Sequence, residues 1–119
     1  MNVLIAEPES NMIRDLKFML ANLGHEVVGI VSSGEKAITM ACNINPNLIL
    51  INIKLTGNMS GVEAGKKIAS LYKIPVIFIT VFTKNCLTKS LQLPEDAITL
   101  SIPVTQDHLE YSISRAFSS

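Results

Sequence analysis

Five short runs of apolar, largely β-branched residues recur along the chain and predict five strands. They cover residues 3–5, 27–31, 48–53, 75–80 and 97–100. The third and fourth runs are apolar at almost every position, which is typical of strands covered by helices on both faces. We therefore expect these two strands to be buried.

The segments between the runs carry apolar residues at helical spacing. In the first segment Leu16 and Leu20 lie on one stripe, and Gly24 is placed to end the helix. Helices are predicted over residues 10–23, 33–43, 61–72, 84–91 and 105–117. Alternating strands and helices predict an α/β fold, with βα repeated five times in a doubly wound, five-stranded parallel sheet.

The length and composition favour one domain with a substantial core. The chain has 119 residues, of which 48% are hydrophobic, and compact domains cluster at roughly 100–150 residues. We expect a single domain over residues 1–119. Its 10 basic and 10 acidic residues leave no net charge, so the domain is not expected to bind nucleic acid.

The sequence predicts neither a membrane segment nor a secreted protein. The longest apolar runs, 48–53 and 74–82, are far shorter than the roughly 20 residues that a membrane span needs. No basic, signal-like segment precedes the first strand, and Cys42 and Cys86 fit no metal-ligand spacing. We expect a cytoplasmic protein that does not bind membranes.

Polar residues follow the predicted strands at the place where such sheets bind ligands, outside the carboxyl ends of the strands. Glu7, Pro8 and Glu9 follow the first strand. Asn52 lies near the end of the third strand, and Thr80 ends the fourth. These residues form the candidate site.

The whole chain, from residue 1 to about 117, resembles the receiver domain of two-component response regulators. The resemblance rests on residues 3–9, 24–37, 46–55, 57, 59–64 and 75–80, and on Ile102 followed by Pro103. It implies the flavodoxin-like receiver fold, with strand order 2-1-3-4-5, and a role in phosphorelay signalling.

Receivers of this family move a phosphoryl group from a partner's phosphohistidine to their own aspartate. The resemblance implies a carboxylate nucleophile after the third strand, two acids after the first strand that help to hold Mg²⁺, a hydroxyl after the fourth strand, and a lysine before the last proline. At these positions the chain has Asn52, Glu7 with Pro8, Thr80 and Ile102. Thr99 stands in the position of the family's switch aromatic.

These replacements predict a receiver that is not phosphorylated on aspartate, has no enzymatic activity and uses no cofactor. The Asn52 amide cannot attack phosphorus, and Pro8 removes one Mg²⁺ ligand. A lysine kept without the central carboxylate would be an unpaired buried charge costing roughly 3–5 kcal/mol, which Ile102 avoids. The chain has three aspartates, Asp15, Asp96 and Asp107, and none of them lies at the carboxyl end of a predicted strand, where a phosphoacceptor is needed.

Several features of the site leave alternatives open. We interpret Glu7 and Glu9 as a solvated turn near the dipole of the first helix, with a weak cation site as the alternative. A sensor of small anions or metabolites would use a pocket formed by Glu7, Asn52, Lys54, Thr80 and Lys84. An unorthodox phosphoacceptor would use Thr80, Ser101 or one of the three aspartates.

Docking to another protein is the expected mode of action. On a helical wheel Phe18 lies opposite the apolar stripe of the first helix, beside Arg14 and Lys17, and aromatic side chains are favoured interface anchors. A second candidate surface lies on the last strand and helix and includes Thr99, Tyr111 and Ser112. The resemblance implies a histidine kinase, a phosphotransfer protein or another signalling protein as partner, and a second copy of the chain is a further candidate.

Overall fold

The computed structural model of the chain describes residues 1–81, 93–94 and 96–118. The strands are β1 (Asn2–Ala6), β2 (Glu26–Val31), β3 (Leu48–Asn52), β4 (Val76–Thr80) and β5 (Ile98–Ser101). The helices in this part of the chain are α1 (Ser10–Asn22), α2 (Gly34–Ile44), α3 (Gly61–Tyr72) and α4 (Gln106–Phe117). The helix predicted over 84–91, with Lys84 and Cys86, lies outside the described residues.

The five strands form one parallel sheet in the order β2-β1-β3-β4-β5. The predicted fold class and strand order are therefore confirmed. Strands β3 and β4 lie inside the sheet, and the side chains of residues 48–51 are completely buried. Their continuous apolar pattern follows from this position, since neither face of the strand meets water.

Side chains alternate between the two faces of the sheet and build two apolar clusters. Leu50 of β3 belongs to the cluster that contains Leu16 of α1 and Leu109 of α4. Its neighbour Ile51 belongs to the cluster on the other face, with Ala37 of α2. Helices therefore cover both faces, and within the described part of the chain none of them is long and apolar enough to cross a membrane.

Each described helix begins after a residue whose side chain accepts hydrogen bonds from backbone N–H groups of the first turn. These capping residues are Glu9, Ser33, Ser60 and Thr105. After α1, Gly24 adopts a φ of 85°, a conformation that glycine reaches without steric cost. The predicted limits of these four helices are confirmed to within one residue.

The first residue of α3 lies directly against the end of β3. The Gly61 N–H donates to the carbonyl oxygen of Ile53 over 2.9 Å, and a Cβ at Gly61 would collide with the backbone carbonyl of Asn52. Glycine is required by this close approach of two backbones. Helix α3 thereby holds the loop after β3 in place beside the candidate site.

Candidate functional site

Four strands bring the candidate site residues to one edge of the sheet. Asn52 and Thr80 are the last residues of β3 and β4, and Glu7 directly follows β1. Ile102 directly follows β5, and its N–H donates to the carbonyl oxygen of Thr80 over 2.9 Å. The parallel sheet therefore places residues that are far apart in the sequence at the same edge.

The Glu7 carboxylate is buried at this edge. The prediction that Glu7 lies in a solvated turn is wrong, because the residue is only 1% exposed. Its Oε1 accepts a hydrogen bond from Asn52 Nδ2 over 2.9 Å, and its Oε2 accepts one from the Glu9 N–H over 3.0 Å. A buried carboxylate is strongly destabilising without such donors, and the side chain of Asn52 supplies one of them.

Both polar groups of the Asn52 side-chain amide are hydrogen-bonded. Its Oδ1 accepts a hydrogen bond from the Lys54 N–H over 2.9 Å, while its NH₂ group donates to Glu7. A backbone N–H can only donate, so the oxygen must face Lys54 and the nitrogen must face the carboxylate. A continuous series of hydrogen bonds therefore runs from the β1–α1 loop to the β3–α3 loop.

The Glu9 carboxylate caps α1, while the Glu9 backbone N–H is the group that bonds Glu7. Its Oε1 and Oε2 accept hydrogen bonds from the N–H groups of Asn11 and Met12 over 3.1 and 2.7 Å. The predicted placement of this charge at the positive end of the helix dipole is confirmed. Across the described ranges, no cluster of three or more His, Cys, Asp or Glu residues could hold a metal ion.

Thr80 and Ile102 complete the site on the side of β4 and β5. Thr80 is 1% exposed and takes part in a polar interaction. Ile102 packs against the apolar cluster that contains Leu100 and Leu109. The position at which the resemblance implies a lysine is therefore occupied by an apolar side chain that contributes to the core.

A groove beside the site differs from the anion pocket predicted from the sequence. Its lining residues come from the ends of β1 and β2 and from α1 and α2, and they include Glu7, Pro8, Ile13, Ile30, Lys36 and Met40. Asn52, Lys54 and Thr80 do not line this groove. The predicted contribution of Lys84 falls outside the described residues.

The outer face of α1 exposes an aromatic side chain among charged ones. Phe18 is 68% exposed, and Arg14 and Lys17 are exposed on the same helix. Arg14 Nε lies 3.8 Å from Asp15 Oδ1. Exposed ion pairs of this kind contribute little to stability. The predicted outward orientation of Phe18 is confirmed, so its ring is accessible to a partner.

The surface formed by β5 and α4 is less open than the sequence predicts. Tyr111 is exposed, and the guanidinium of Arg115 lies 6.0 Å from the centre of its ring. Thr99 is half-buried in β5. Ser112 was expected on this surface but is buried, because it shares the inner face of α4 with Leu109, three residues earlier.

The chain also resembles known proteins over nearly its whole length. A family model described as response regulator receiver domain matches residues 3–109. The phyllosphere-induced regulator PhyR of Methylorubrum extorquens is 32% identical over 115 residues, which cover 96% of this chain and 42% of that relative.

Two solved structures have the same fold. The crystal structure of the anti-anti-sigma factor PhyR from Bartonella quintana is 36% identical, with a TM-score of 0.82, and the match covers 97% of this chain and 46% of that one. The solution structure of the receiver domain of PhyR from Erythrobacter litoralis is 30% identical, with a TM-score of 0.83, over 97% of this chain and 88% of that one. The chain thus spans less than half the length of the longer relatives.

Proposed function

The chain belongs to the response regulator receiver domain family, and from this premise we propose that it is a signalling module that is not phosphorylated on aspartate and acts by docking to another protein. The hydrogen bond between Asn52 and Glu7 is the observation that carries the proposal. Asn52 holds the position of the family's nucleophile, and its amide is already engaged with two partners.

The chemistry of residue 52 supports this proposal. Phosphoryl transfer needs an oxygen nucleophile in line with the phosphorus atom. The Asn52 oxygen belongs to a neutral amide and accepts a hydrogen bond from Lys54 N–H. Such an oxygen is a far weaker nucleophile than a carboxylate, so residue 52 does not form an acyl phosphate.

The charges around the site also disfavour transfer. A phosphoryl group carries negative charge in the transition state, and fixed positive charges must offset it. The lysine position holds Ile102, which is partly buried and packs against the apolar core. The buried carboxylate of Glu7 remains at this edge, so an incoming phosphoryl group meets a like charge.

Docking through α1 is the mode of action that the exposed surface favours. Phe18 can transfer a large apolar area from water into an interface, and Arg14 and Lys17 add positive charge next to it. The Bartonella quintana relative is described as an anti-anti-sigma factor. We propose by analogy that the partner here is a regulatory protein, either a histidine kinase, a phosphotransfer protein or another signalling protein.

Intact-mass spectrometry after incubation with acetyl phosphate and Mg²⁺ tests the phosphorylation part of the proposal. We expect no added phosphoryl group on the wild-type chain or on the single variant Asn52→Asp. The variant regains a carboxylate but still lacks the acid at Pro8 and the lysine at Ile102. An ordinary receiver with an aspartate at this position serves as the positive control.

A single added phosphoryl group on the wild-type chain would contradict the proposal. Peptide mapping would then identify the acceptor among Thr80, Ser101 and the three aspartates. Labelling of Asn52→Asp alone would contradict our explanation of the site, because it would make Pro8 and Ile102 irrelevant to transfer.

A further inference from the structure

The side chains at the carboxyl edge do not fit the Mg²⁺ ion that the receiver family implies. Mg²⁺ requires oxygen ligands in near-octahedral geometry and is usually held by one or two carboxylates. Pro8 provides no side-chain oxygen, and both carboxylate oxygens of Glu9 accept hydrogen bonds from α1. The remaining acid is Glu7, and Asn52 presents an N–H donor to it where an ion would need an oxygen ligand.

We infer that the Asn52 side chain replaces a divalent cation as the link between the β1 and β3 ends of the site. A cation joins two carboxylates by offsetting their charges. Here the amide donates to Glu7 on one strand end and accepts from Lys54 N–H on the other. The two loops are thus joined without a metal, and Asn52 acts as a positioning residue.

Three observations support a bridging role over an incidental contact. Glu7 is 1% exposed, so its bond to Asn52 is shielded from competing water. The second carboxylate oxygen of Glu7 accepts the Glu9 N–H, which extends the link to the residue that caps α1. Gly61 holds the backbone of Asn52 against the start of α3, which fixes the point of the chain from which the amide reaches Glu7.

This inference deepens the proposed function and rests on it. A receiver that is never phosphorylated has no need to recruit a cation for transfer, but its loops must still be held in one arrangement to present a fixed docking surface. The hydrogen-bonded link meets this need at any Mg²⁺ concentration.

Thermal unfolding of the purified chain in EDTA and in millimolar MgCl₂, at matched ionic strength, tests the inference. The variants are Asn52→Asp, Glu7→Gln, the double variant Asn52→Asp with Glu7→Gln, and Asn43→Asp, which makes the same chemical change at an exposed position of α2. Titration calorimetry with MnCl₂ provides a direct measure of cation binding for each protein.

We expect the wild-type Tm to be the same in EDTA and in MgCl₂, and no MnCl₂ binding. Asn52→Asp sets two carboxylates against each other, so its Tm in EDTA should fall by about 5 °C or more, with recovery in MgCl₂ and measurable MnCl₂ binding. The double variant should lose the response to cations. Asn43→Asp should show no response to cations, although a carboxylate in the last turn of α2 should lower its Tm slightly in both buffers.

A rise of the wild-type Tm in MgCl₂, abolished by Glu7→Gln, would overturn the inference, because the native site would then be a cation site. An unchanged Tm for Asn52→Asp in EDTA would also overturn it, because the amide would then bridge nothing. If Asn52→Asp does not fold, the wild-type titration decides the question. None of these measurements involves phosphorylation. The inference can therefore be contradicted while the chain still gains no phosphoryl group, and a phosphorylated chain can still show the hydrogen-bonded link.

Discussion

At the scale of single residues, burial decides what the site can do. Glu7 follows a strand in a turn that also contains proline and a second acid, and that local pattern predicts exposure. The fold overrides it because β1 lies between β2 and β3, so a side chain leaving its end is covered by both neighbours. The sequence feature that points to this pairing is Asn52. The resemblance implies a carboxylate at this position, and an amide there can donate a hydrogen bond to a nearby acid.

The energy of the Glu7–Asn52 contact can be measured by removing its donor. Asn52→Leu keeps the approximate size of the side chain but leaves the buried carboxylate without one of its hydrogen bonds. We expect the free energy of unfolding to fall by about 2–3 kcal/mol, measured by urea denaturation. Asn43→Leu, at an exposed position of α2, is the matched control.

The double variant Asn52→Leu with Glu7→Gln separates two causes of lost stability, the unpaired charge of the carboxylate and the altered packing. If the unpaired carboxylate causes the loss, the double variant should be more stable than Asn52→Leu alone. Equal stability of these two variants would indicate that cavity formation or strain explains the effect instead.

At the scale of elements, helix α1 has one face that packs against the sheet and another that is exposed to solvent. Its inner face packs Leu16 and Leu20 against the sheet, and its outer face exposes Phe18. Helical periodicity predicted both faces, because the spacing of apolar residues alone separates them. The start of the helix was also predictable, although the capping role of the Glu9 carboxylate required the structure.

The exposed ring on α1 gives a direct test of docking. Phe18→Ser should weaken binding to the dimerisation and phosphotransfer domain of a histidine kinase from the same source by at least about tenfold, measured by titration calorimetry. Its Tm should change little, because the ring is 68% exposed in the free chain. Leu71→Ser on α3 removes a similarly exposed apolar side chain, at 63%, and should leave binding intact.

Equal weakening by Leu71→Ser and Phe18→Ser would contradict a specific role for α1. Unchanged binding for both variants would direct attention to Tyr111 on α4, an exposed aromatic of the second candidate surface.

At the scale of the whole molecule, the fold was predictable and the site was predictable only in part. Periodicity and β-branched runs define the elements, and the rule that parallel strands share an edge brings Asn52 and Thr80 together. The sequence could not reveal which polar groups pair there, because short contacts depend on side-chain directions at the ends of different strands. The burial of Ser112 was missed for a related reason, since a small polar residue gives no signal of facing inward.

Because four strands supply the site, restored phosphorylation should require changes on three of them. The triple variant Pro8→Asp, Asn52→Asp and Ile102→Lys supplies a second acid, the nucleophile and the lysine. We expect it to gain one phosphoryl group from acetyl phosphate in the presence of Mg²⁺, measured by intact mass, whereas each single variant should gain none. A folded triple variant that stays unlabelled would contradict the assignment of these three positions.

The Glu7–Asn52 hydrogen bond also means that, under the proposed function, single substitutions do not lead to a phosphorylated receiver. An aspartate at residue 52 would set a second carboxylate against the buried Glu7, and a lysine at residue 102 would place a cation against an apolar cluster. We expect each of these substitutions alone to lower stability while the phosphorylation site is still incomplete. Several substitutions would therefore have to occur together before aspartate phosphorylation could be selected.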